Sequence, residues 1–266
     1  MNTVESRRKI SVVVVTYNAG EKIKKTLESL IRQTYLNYEV LFIDGQSTDS
    51  TLNILKKYQK LFHEKNIYTF CLSEKDRGIY DAMNKGIVRA NGDWIYFLNA
   101  GDVLGDENVF EDIFANIERD VDVIYGDTLD DYGYKIERLV SCQISDIRWK
   151  MPFCHQAVFA KTELLKNNLF DLSYSLCADY NQFLSLYLDG KEFEKIDRVV
   201  AIYARDGVSA QNGYLVLKQY KNIQICHGIY GYMQRREYCK KNIIGRLQTL
   251  KSKLFRKKKN KYLCRE

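Results

Sequence analysis

The sequence predicts an α/β protein whose mostly parallel sheet is flanked by helices. Apolar runs of strand length alternate with segments of helical periodicity, and a polar or small-residue cluster follows the end of each early run. The chain has 266 residues, of which 45% are hydrophobic, so it can bury a sizeable core. Strands and helices at this spacing form βαβ units with right-handed crossovers, in which ligands lie outside the carboxyl ends of the strands.

The first hundred residues carry the most regular part of this pattern. The strands are apolar or β-branched runs that end in a loop, and we predict them at residues 10–15, 38–43, 67–72 and 94–98. The helices lie between them, where apolar side chains recur at helical spacing, at residues 23–31, 50–62 and 79–90.

The pattern becomes less regular after residue 105. Further strands are predicted at residues 121–125, 156–160 and 199–203, and a further helix at 179–188. Gly126 to Asp131 reads Gly-Asp-Thr-Leu-Asp-Asp and predicts a turn, because these residue types favour turns. A polar loop is expected at residues 205–212.

The net charge of +7 is the sum of two regions of opposite sign. Residues 240–266 hold 11 basic side chains and one acidic one, whereas the other 239 residues hold 30 basic and 33 acidic side chains. A protein that binds nucleic acid through its folded surface would show the opposite bias, so we expect no nucleic-acid partner.

The basic tail has an amphipathic pattern. Its apolar residues from Ile243 to Phe255 fall on one helical stripe, with Lys and Arg between and after them. This pattern predicts an interfacial helix that binds an anionic membrane surface. The alternative is a solvated charged segment with a short helix packed on the body.

Cysteine usage and the N-terminus indicate a cytoplasmic protein. The seven cysteines are odd in number and contain no CxxC pair, so neither a disulfide framework nor a structural zinc site is expected. The longest apolar run near the N-terminus, residues 12–15, is too short for a signal peptide or a membrane span.

The loops after the strands hold the candidate site residues. Neither GxGxxG nor GxxxxGK[ST] occurs, so phosphate charge must be met by something else, and a divalent metal ion is the natural substitute. Asp102 follows the fourth strand, and its hard oxygen ligands suit Mg²⁺ or Mn²⁺; the alternative is a turn aspartate. Asp44 ends the second strand, where it can accept the imide N–H of a uracil while Tyr17 stacks on the base.

Three further segments offer catalytic or binding groups. Asp179 lies at the start of a helix, where it acts either as a general base toward an acceptor hydroxyl or as a helix-stabilising carboxylate. His155 begins a buried-looking strand and is either a structural histidine or a group at the crevice edge, as a metal ligand or acceptor contact. Arg205 and Ser209 lie in a loop that can fold over a pyrophosphate.

Taken together, these residues resemble the family-two glycosyltransferases of the GT-A fold, a Rossmann-like architecture. Seven blocks appear in that family's order and cover most of residues 10–212: VVVVTYN (12–18), FIDGQSTDST (42–51), SEKDRGIYDAMNKGI (73–87), IYFLNAGD (95–102), HQAVF (155–159), ADYNQF (178–183) and GVSAQ (207–211). Their combination is similar to bacterial transferases that build surface polysaccharides.

The resemblance implies an inverting transfer of one sugar from a nucleotide-sugar donor, UDP-linked, to a hydroxyl of a glycan or lipid-linked acceptor. It also implies a role for each matching residue. Asp179 would be the base and Asp102 the metal ligand. The donor would be held by Thr16, Tyr17, Asn18, Asp44, Asp76, Asp81, Asn84 and Asn99.

Two departures from the family pattern keep a second reading open. The metal motif reads Asn99-Ala-Gly-Asp102 and has one carboxylate instead of two. Met83 precedes Asn84 where many members carry an arginine. A catalytically weak nucleotide-sugar-binding or scaffold protein of the same fold is therefore the alternative function.

We divide the chain on the same basis. Residues 1–212 form the predicted GT-A domain, with a nucleotide-binding half at about 10–105 and an acceptor half at about 106–212. Residues 213–266 form a helical, basic C-terminal extension. The expected location is the inner face of the cytoplasmic membrane, with the protein bound peripherally.

Overall fold

The computed structural model describes residues 8–114, 120–204, 212–232, 234–236 and 238–239. The chain separates into two compact units, Met1–Asp206 and Gly207–Glu266. Two predicted regions lie outside the described residues: the loop that carries Arg205 and Ser209, and the basic tail from residue 240. The structure therefore does not test the predictions made for them.

The first unit begins with the predicted βαβ units. Its first seven elements are β1 (Ile10–Thr16), α1 (Lys22–Ile31), β2 (Tyr38–Asp44), α2 (Thr51–Glu64), β3 (Tyr68–Ser73), α3 (Ile79–Arg89) and β4 (Trp94–Phe97). The four strands are parallel, in the order β3-β2-β1-β4. The strands β1 and β2 are buried along their whole length because helices cover both faces of a sheet of this kind.

The same sheet continues through the second half of the unit. The remaining elements are β5 (Val103–Leu104), α4 (Val109–Phe114), β6 (Val123–Asp131), β7 (Ile136–Leu139), β8 (Val158–Lys161), α5 (Thr162–Asn167), α6 (Ala178–Leu188) and β9 (Phe193–Ala204). Two short 3-10 helices, Ile144–Arg148 and His155–Ala157, lie between β7 and β8. The sheet order extends from β4 through β8, β6 and β9 to β5, with β7 paired to β6.

The α/β class is confirmed, and the sheet is mixed. Strand β8 pairs antiparallel with both β4 and β6, while β6 and β9 are parallel. Aromatic side chains of α4 fill the space against β4 and β8: the Phe110 ring lies 5.8 Å from Tyr96 and 5.9 Å from Phe159, centroid to centroid. This cluster joins the parallel and antiparallel parts in one core.

Two of the predicted elements are wrong in detail. Residues 126–131 are not a turn, because they continue β6 and pair with both β7 and β9. A Cβ on Gly126 would lie 2.6 Å from the carbonyl oxygen of Arg198, so glycine marks a close approach of two strands here. His155 and Gln156 do not begin a strand, since they form a 3-10 helix and β8 starts at Val158.

The second unit is described in part. Its main element is the helix α7 (Gly213–Cys226). None of the helices in the described residues has both the length and the apolar character that a membrane span requires.

Candidate active site

The carboxyl ends of β1, β2 and β4 bring several predicted site residues to one edge of the sheet. The parallel register sets Thr16 beside Asp44, and Asp44 beside Ser73 of β3. The Thr16 hydroxyl is buried and has no hydrogen-bond partner among the described residues. A buried, unpaired hydroxyl at this position is available to a ligand.

Asp44 is fully buried, and its carboxylate organises the loop that follows β2. Oδ1 accepts the Ser47 hydroxyl at 2.5 Å, and Oδ2 accepts the Ser47 backbone N–H at 2.9 Å and the Ser73 hydroxyl at 2.6 Å. The position of Asp44 at the end of β2 predicted only an acceptor for a base. The structure adds a second task, which is to fix the turn at Ser47.

The loop after β1 is tied to the loop after β2. Asn18 donates its backbone N–H to the Ser47 hydroxyl at 2.8 Å, and its side-chain oxygen accepts the Thr48 N–H at 2.9 Å. Tyr17 leaves 66% of its surface exposed. A Cβ on Gly45 would lie 3.3 Å from the Tyr17 ring and 2.8 Å from Asp76 Oδ2, so Tyr17 and Asp76 flank the same stretch of backbone.

Lys85 connects the acidic side chains that follow β3. Its ammonium lies 2.5 Å from Asp76 Oδ1, 3.0 Å from Glu74 and 3.7 Å from Asp81 Oδ2. Burial opposes charge on Asp81, but hydrogen bonds from Arg77 and the positive charges of Arg77 and Lys85 lower the pKa of Asp81 overall. The predicted donor-side carboxylates Asp76 and Asp81 thus belong to one cluster around the Lys85 ammonium.

Asn84 uses its side chain to hold the backbone of a distant segment. Its Nδ2 donates to the Phe170 carbonyl at 2.9 Å, and its Oδ1 accepts the Phe170 N–H at 2.8 Å. The Phe170 ring then contacts Tyr80 at 5.2 Å and His155 at 5.9 Å between centroids. Asn84 therefore shapes the site through Phe170.

Asp102 and Asn99 share the turn after β4. Asp102 is 4% exposed, and its Oδ1 accepts the Ala204 N–H at 3.0 Å. The Asn99 side-chain oxygen is buried and has no hydrogen-bond partner in the described residues.

This oxygen pair fits a hard divalent ion that completes its shell with water and substrate phosphates. Within the described ranges, no group of three or more His, Cys, Asp or Glu side chains is arranged to hold a metal ion. Asp102 and Asn99 would therefore supply only part of the coordination shell of a divalent ion, and water or substrate would have to supply the rest.

Asp179 lies in the first turn of α6 and is partly exposed. Its Oδ1 accepts the Tyr80 hydroxyl at 2.9 Å and the Tyr180 N–H at 2.8 Å. Both ring nitrogens of His155 are buried without a partner among the described residues. Burial lowers the pKa of His155, and the charge of Asp179 only partly opposes this, so the imidazole is neutral at neutral pH.

The Cys154 thiol lies among the same carboxylates. It donates to the Gln156 side-chain oxygen at 3.0 Å. Burial raises the pKa of this thiol to about 12, and Asp102, Asp130 and Asp179 add to the shift. Asp102 and Asp179 therefore both raise the pKa of this one thiol.

The family model described as "Glycosyl transferase family 2" matches residues 11–171. The chain belongs to this family. Its matched region contains the first four parallel strands, the Asn99–Asp102 turn and the 3-10 helix with His155.

Two relatives in sequence carry glycosyltransferase names. A PGL/p-HBAD biosynthesis glycosyltransferase of Mycobacterium tuberculosis is 30% identical over 181 residues, which cover 64% of this chain and 66% of the relative. A dolichyl N-acetyl-alpha-D-glucosaminyl phosphate 3-beta-D-2,3-diacetamido-2,3-dideoxy-beta-D-glucuronosyltransferase of Methanococcus voltae is 28% identical over 247 residues, covering 80% of this chain and 76% of that one. The chain thus spans about two thirds of the length of the mycobacterial relative.

Two solved structures share the fold. Residues 1–349 of S. aureus TarS, in complex with UDP, superpose with a TM-score of 0.64 at 23% identity, covering 81% of this chain and 65% of that chain. The mannosyltransferase PcManGT of Pyrobaculum calidifontis, in complex with GDP-Man and Mn²⁺, gives a TM-score of 0.64 at 18% identity, covering 85% and 66%. These similarities confirm the predicted GT-A architecture of this family member.

Sequence reasoning missed three groups at the site of this family-2 protein. The i,i+4 spacing of Asp81 and Lys85 was a usable signal for the Lys85 contacts. Tyr80 carried no such signal, because a tyrosine in a helix is ordinarily a core residue. The bond from Ser73 to Asp44 depends on the register of two strands, which the sequence does not state.

Proposed function

We propose that this family-2 chain is an inverting glycosyltransferase. It moves a sugar from a nucleotide-sugar donor, UDP-linked, to a hydroxyl of a glycan or lipid-linked acceptor in surface-polysaccharide biosynthesis. The observation that carries the proposal is the carboxylate of Asp179. One of its oxygens is fixed by Tyr80 and Tyr180, and the other accepts no hydrogen bond from any described residue. The printed names of the relatives support the reaction class.

The donor binds across the loops that follow β1, β2 and β3. The unpaired Thr16 hydroxyl and the exposed Tyr17 ring are available to the nucleoside, and Asp44 accepts the imide N–H of the base. Asn18 holds the loop that carries Tyr17, while the Asp76 carboxylate and the Tyr17 ring both lie close to Gly45. The complex of TarS with UDP supports a uridine nucleotide.

The diphosphate lies near the turn after β4. Asp102 and the unpaired oxygen of Asn99 would hold a divalent ion there, with neutral His155 as a further ligand or an acceptor contact. When bound, this ion supplies positive charge toward the negative charge that develops on the leaving diphosphate. Arg205 and Ser209, which lie outside the described residues, are proposed to cover the same phosphates.

The chain's own chemistry is a single proton transfer. Asp179 Oδ2 takes the proton of the acceptor hydroxyl while that oxygen forms a bond to the anomeric carbon. The bond from this carbon to the diphosphate oxygen breaks, and the electron pair leaves with the nucleotide. One attack from the opposite face inverts the anomeric centre, and no carboxylate nucleophile is needed, unlike in retaining glycosidases.

The domain division and location remain part of the proposal. Residues 10–105 supply the donor side, and residues 106–212 supply the acceptor side. The basic extension, residues 213–266, holds the protein at the inner face of the cytoplasmic membrane, where a lipid-linked acceptor would lie. The net charge of +10 in residues 240–266 supports this, since each basic residue near an anionic leaflet contributes about 1 kcal/mol.

Release of UDP from a panel of UDP-sugars, with and without Mn²⁺, tests the proposal. We expect metal-dependent release from one donor and its acceleration by a glycan acceptor. The single carboxylate at Asp102 favours a second function, a nucleotide-sugar-binding protein without turnover. Binding of UDP without release from any donor would support that second function and contradict the first.

A further inference from the structure

Tyr80 links helix α3 to the N-terminal turn of α6. Its side chain is 8% exposed, and its hydroxyl lies 2.9 Å from the Leu176 carbonyl oxygen and 2.9 Å from Asp179 Oδ1. A phenol carries one proton and can donate it to only one of these acceptors at a time. Burial raises the pKa of Tyr80 well above its usual value, and the charge of Asp179 raises it further. The hydroxyl therefore stays protonated and serves as a donor.

The histidine and the two thiols facing Asp179 are uncharged at neutral pH. His155 is neutral for the reason given above. Burial raises the pKa of the Cys177 and Cys154 thiols to about 12, with Asp179 contributing to both shifts. The carboxylates of Asp102 and Asp130 add negative charge around Cys154. In the part of the chain that the structure describes, no cation pairs with Asp179, and its carboxylate is held by the Tyr80 hydroxyl and the Tyr180 N–H.

We propose that Tyr80 is a positioning residue for the general base Asp179. Its hydroxyl holds Oδ1 of the ionised carboxylate, which leaves Oδ2 to receive the acceptor proton. The inference rests on the proposed function, since it assigns Tyr80 to the same proton transfer.

The Leu176 carbonyl gives the Tyr80 hydroxyl a second position. A protonated carboxyl group is a weaker acceptor than a carboxylate, so the hydroxyl turns to Leu176 once Asp179 has taken the proton. Because both acceptors lie at the same distance, the turn leaves no buried donor unsatisfied. When the product leaves and Asp179 loses its proton, the hydroxyl turns back.

The test compares Tyr80→Phe with Tyr38→Phe. Tyr38 is also a buried tyrosine that donates to a backbone carbonyl, Leu30 at 2.8 Å, but it lies at the start of β2, away from the carboxyl ends. The probe is UDP release from the fastest UDP-sugar of the panel in Mn²⁺, measured against pH. In Tyr80→Phe we expect kcat to fall about tenfold, the donor KM to stay unchanged and the acidic limb to move up by about one pH unit.

A control variant and a measurement that needs no turnover distinguish a failure of the Tyr80 positioning role from a failure of the proposed function. We expect Tyr38→Phe to keep the wild-type pH profile. NMR of isotopically labelled aspartate carboxyl groups, with the Asp179 signal assigned by its loss in Asp179→Asn, should show an upward move of its titration midpoint in Tyr80→Phe. An unmoved midpoint overturns the positioning role whatever the activity. A moved midpoint with an active Asp179→Asn variant instead overturns the proposed function.

Discussion

Replacement of Asn84 by alanine removes both side-chain bonds that join α3 to the backbone of Phe170. These bonds, at 2.9 and 2.8 Å, satisfy the carbonyl and the N–H of a residue that is 2% exposed. The alanine variant keeps the helix, since alanine has the highest helix propensity. The perturbation is therefore confined to the contact between α3 and the segment around Phe170.

The expected loss of stability follows from these two bonds. Each neutral hydrogen bond contributes about 1 kcal/mol, and each buried backbone group left without a partner costs about 1–3 kcal/mol. Because Asn84 is partly exposed, water can satisfy some of this demand, so we expect the free energy of unfolding to fall by about 2–4 kcal/mol.

Urea unfolding followed by tryptophan fluorescence measures this difference. The matched control is Asn91→Ala, because Asn91 is exposed and its side chain makes one bond, to the Arg89 carbonyl at 3.1 Å. We expect the control to change stability by less than about 0.5 kcal/mol. Equal stabilities of the Asn84→Ala and Asn91→Ala variants would refute the reasoning that Asn84 anchors Phe170.

Three further predictions concern the Asp102 turn, a buried ion pair and the basic tail. Asp102→Ala should lose the Mn²⁺-dependent part of UDP binding in calorimetry; an undiminished effect of Mn²⁺ would contradict the metal assignment. Arg138→Ala leaves the buried Asp127 carboxylate without its cationic partner at 2.7 Å and should lower stability at neutral pH. Burial opposes charge on Asp127, but bonds from Ser141 and Arg138 lower its pKa overall, so its stabilisation is lost as pH falls through that lowered value. The loss of stability in Arg138→Ala should therefore become smaller at acidic pH. A loss that does not change with pH would contradict this role of the ion pair. A 1–240 truncation should sediment less with anionic liposomes than the full chain; equal binding would exclude the tail as the membrane contact.

The parallel half of the fold was predictable because its signals are local. An apolar run such as Ile10–Thr16 is buried on both faces, so its sequence pattern does not depend on any one partner. The second half depends on distant partners. Asp127 and Asp130 resemble turn residues, yet they lie within β6, where Arg138, Ser141 and Thr128 satisfy them. The strand β7 is exposed along its length and offers no apolar pattern.

The same difference between local and distant signals holds for the candidate site. The positions of Asp44, Asp102 and Asp179 at strand and helix ends were predictable, because the end of a run is visible in the sequence. The partners of these carboxylates were not. The Tyr80 hydroxyl and Asp179 are 99 residues apart in the chain, and Asn84 and Phe170 are 86 apart. Such contacts follow from how α3 packs against the segment before α6, which no local pattern encodes.

The most direct test of the general-base assignment is an Asp179→Asn variant assayed side by side for UDP binding and for sugar transfer. Asp189→Asn, at the other end of α6 and exposed, is the matched control for the loss of one carboxylate. Asparagine cannot accept the proton, so we expect UDP release to fall at least about a hundredfold while UDP affinity is retained. Near-normal turnover in Asp179→Asn would contradict the account.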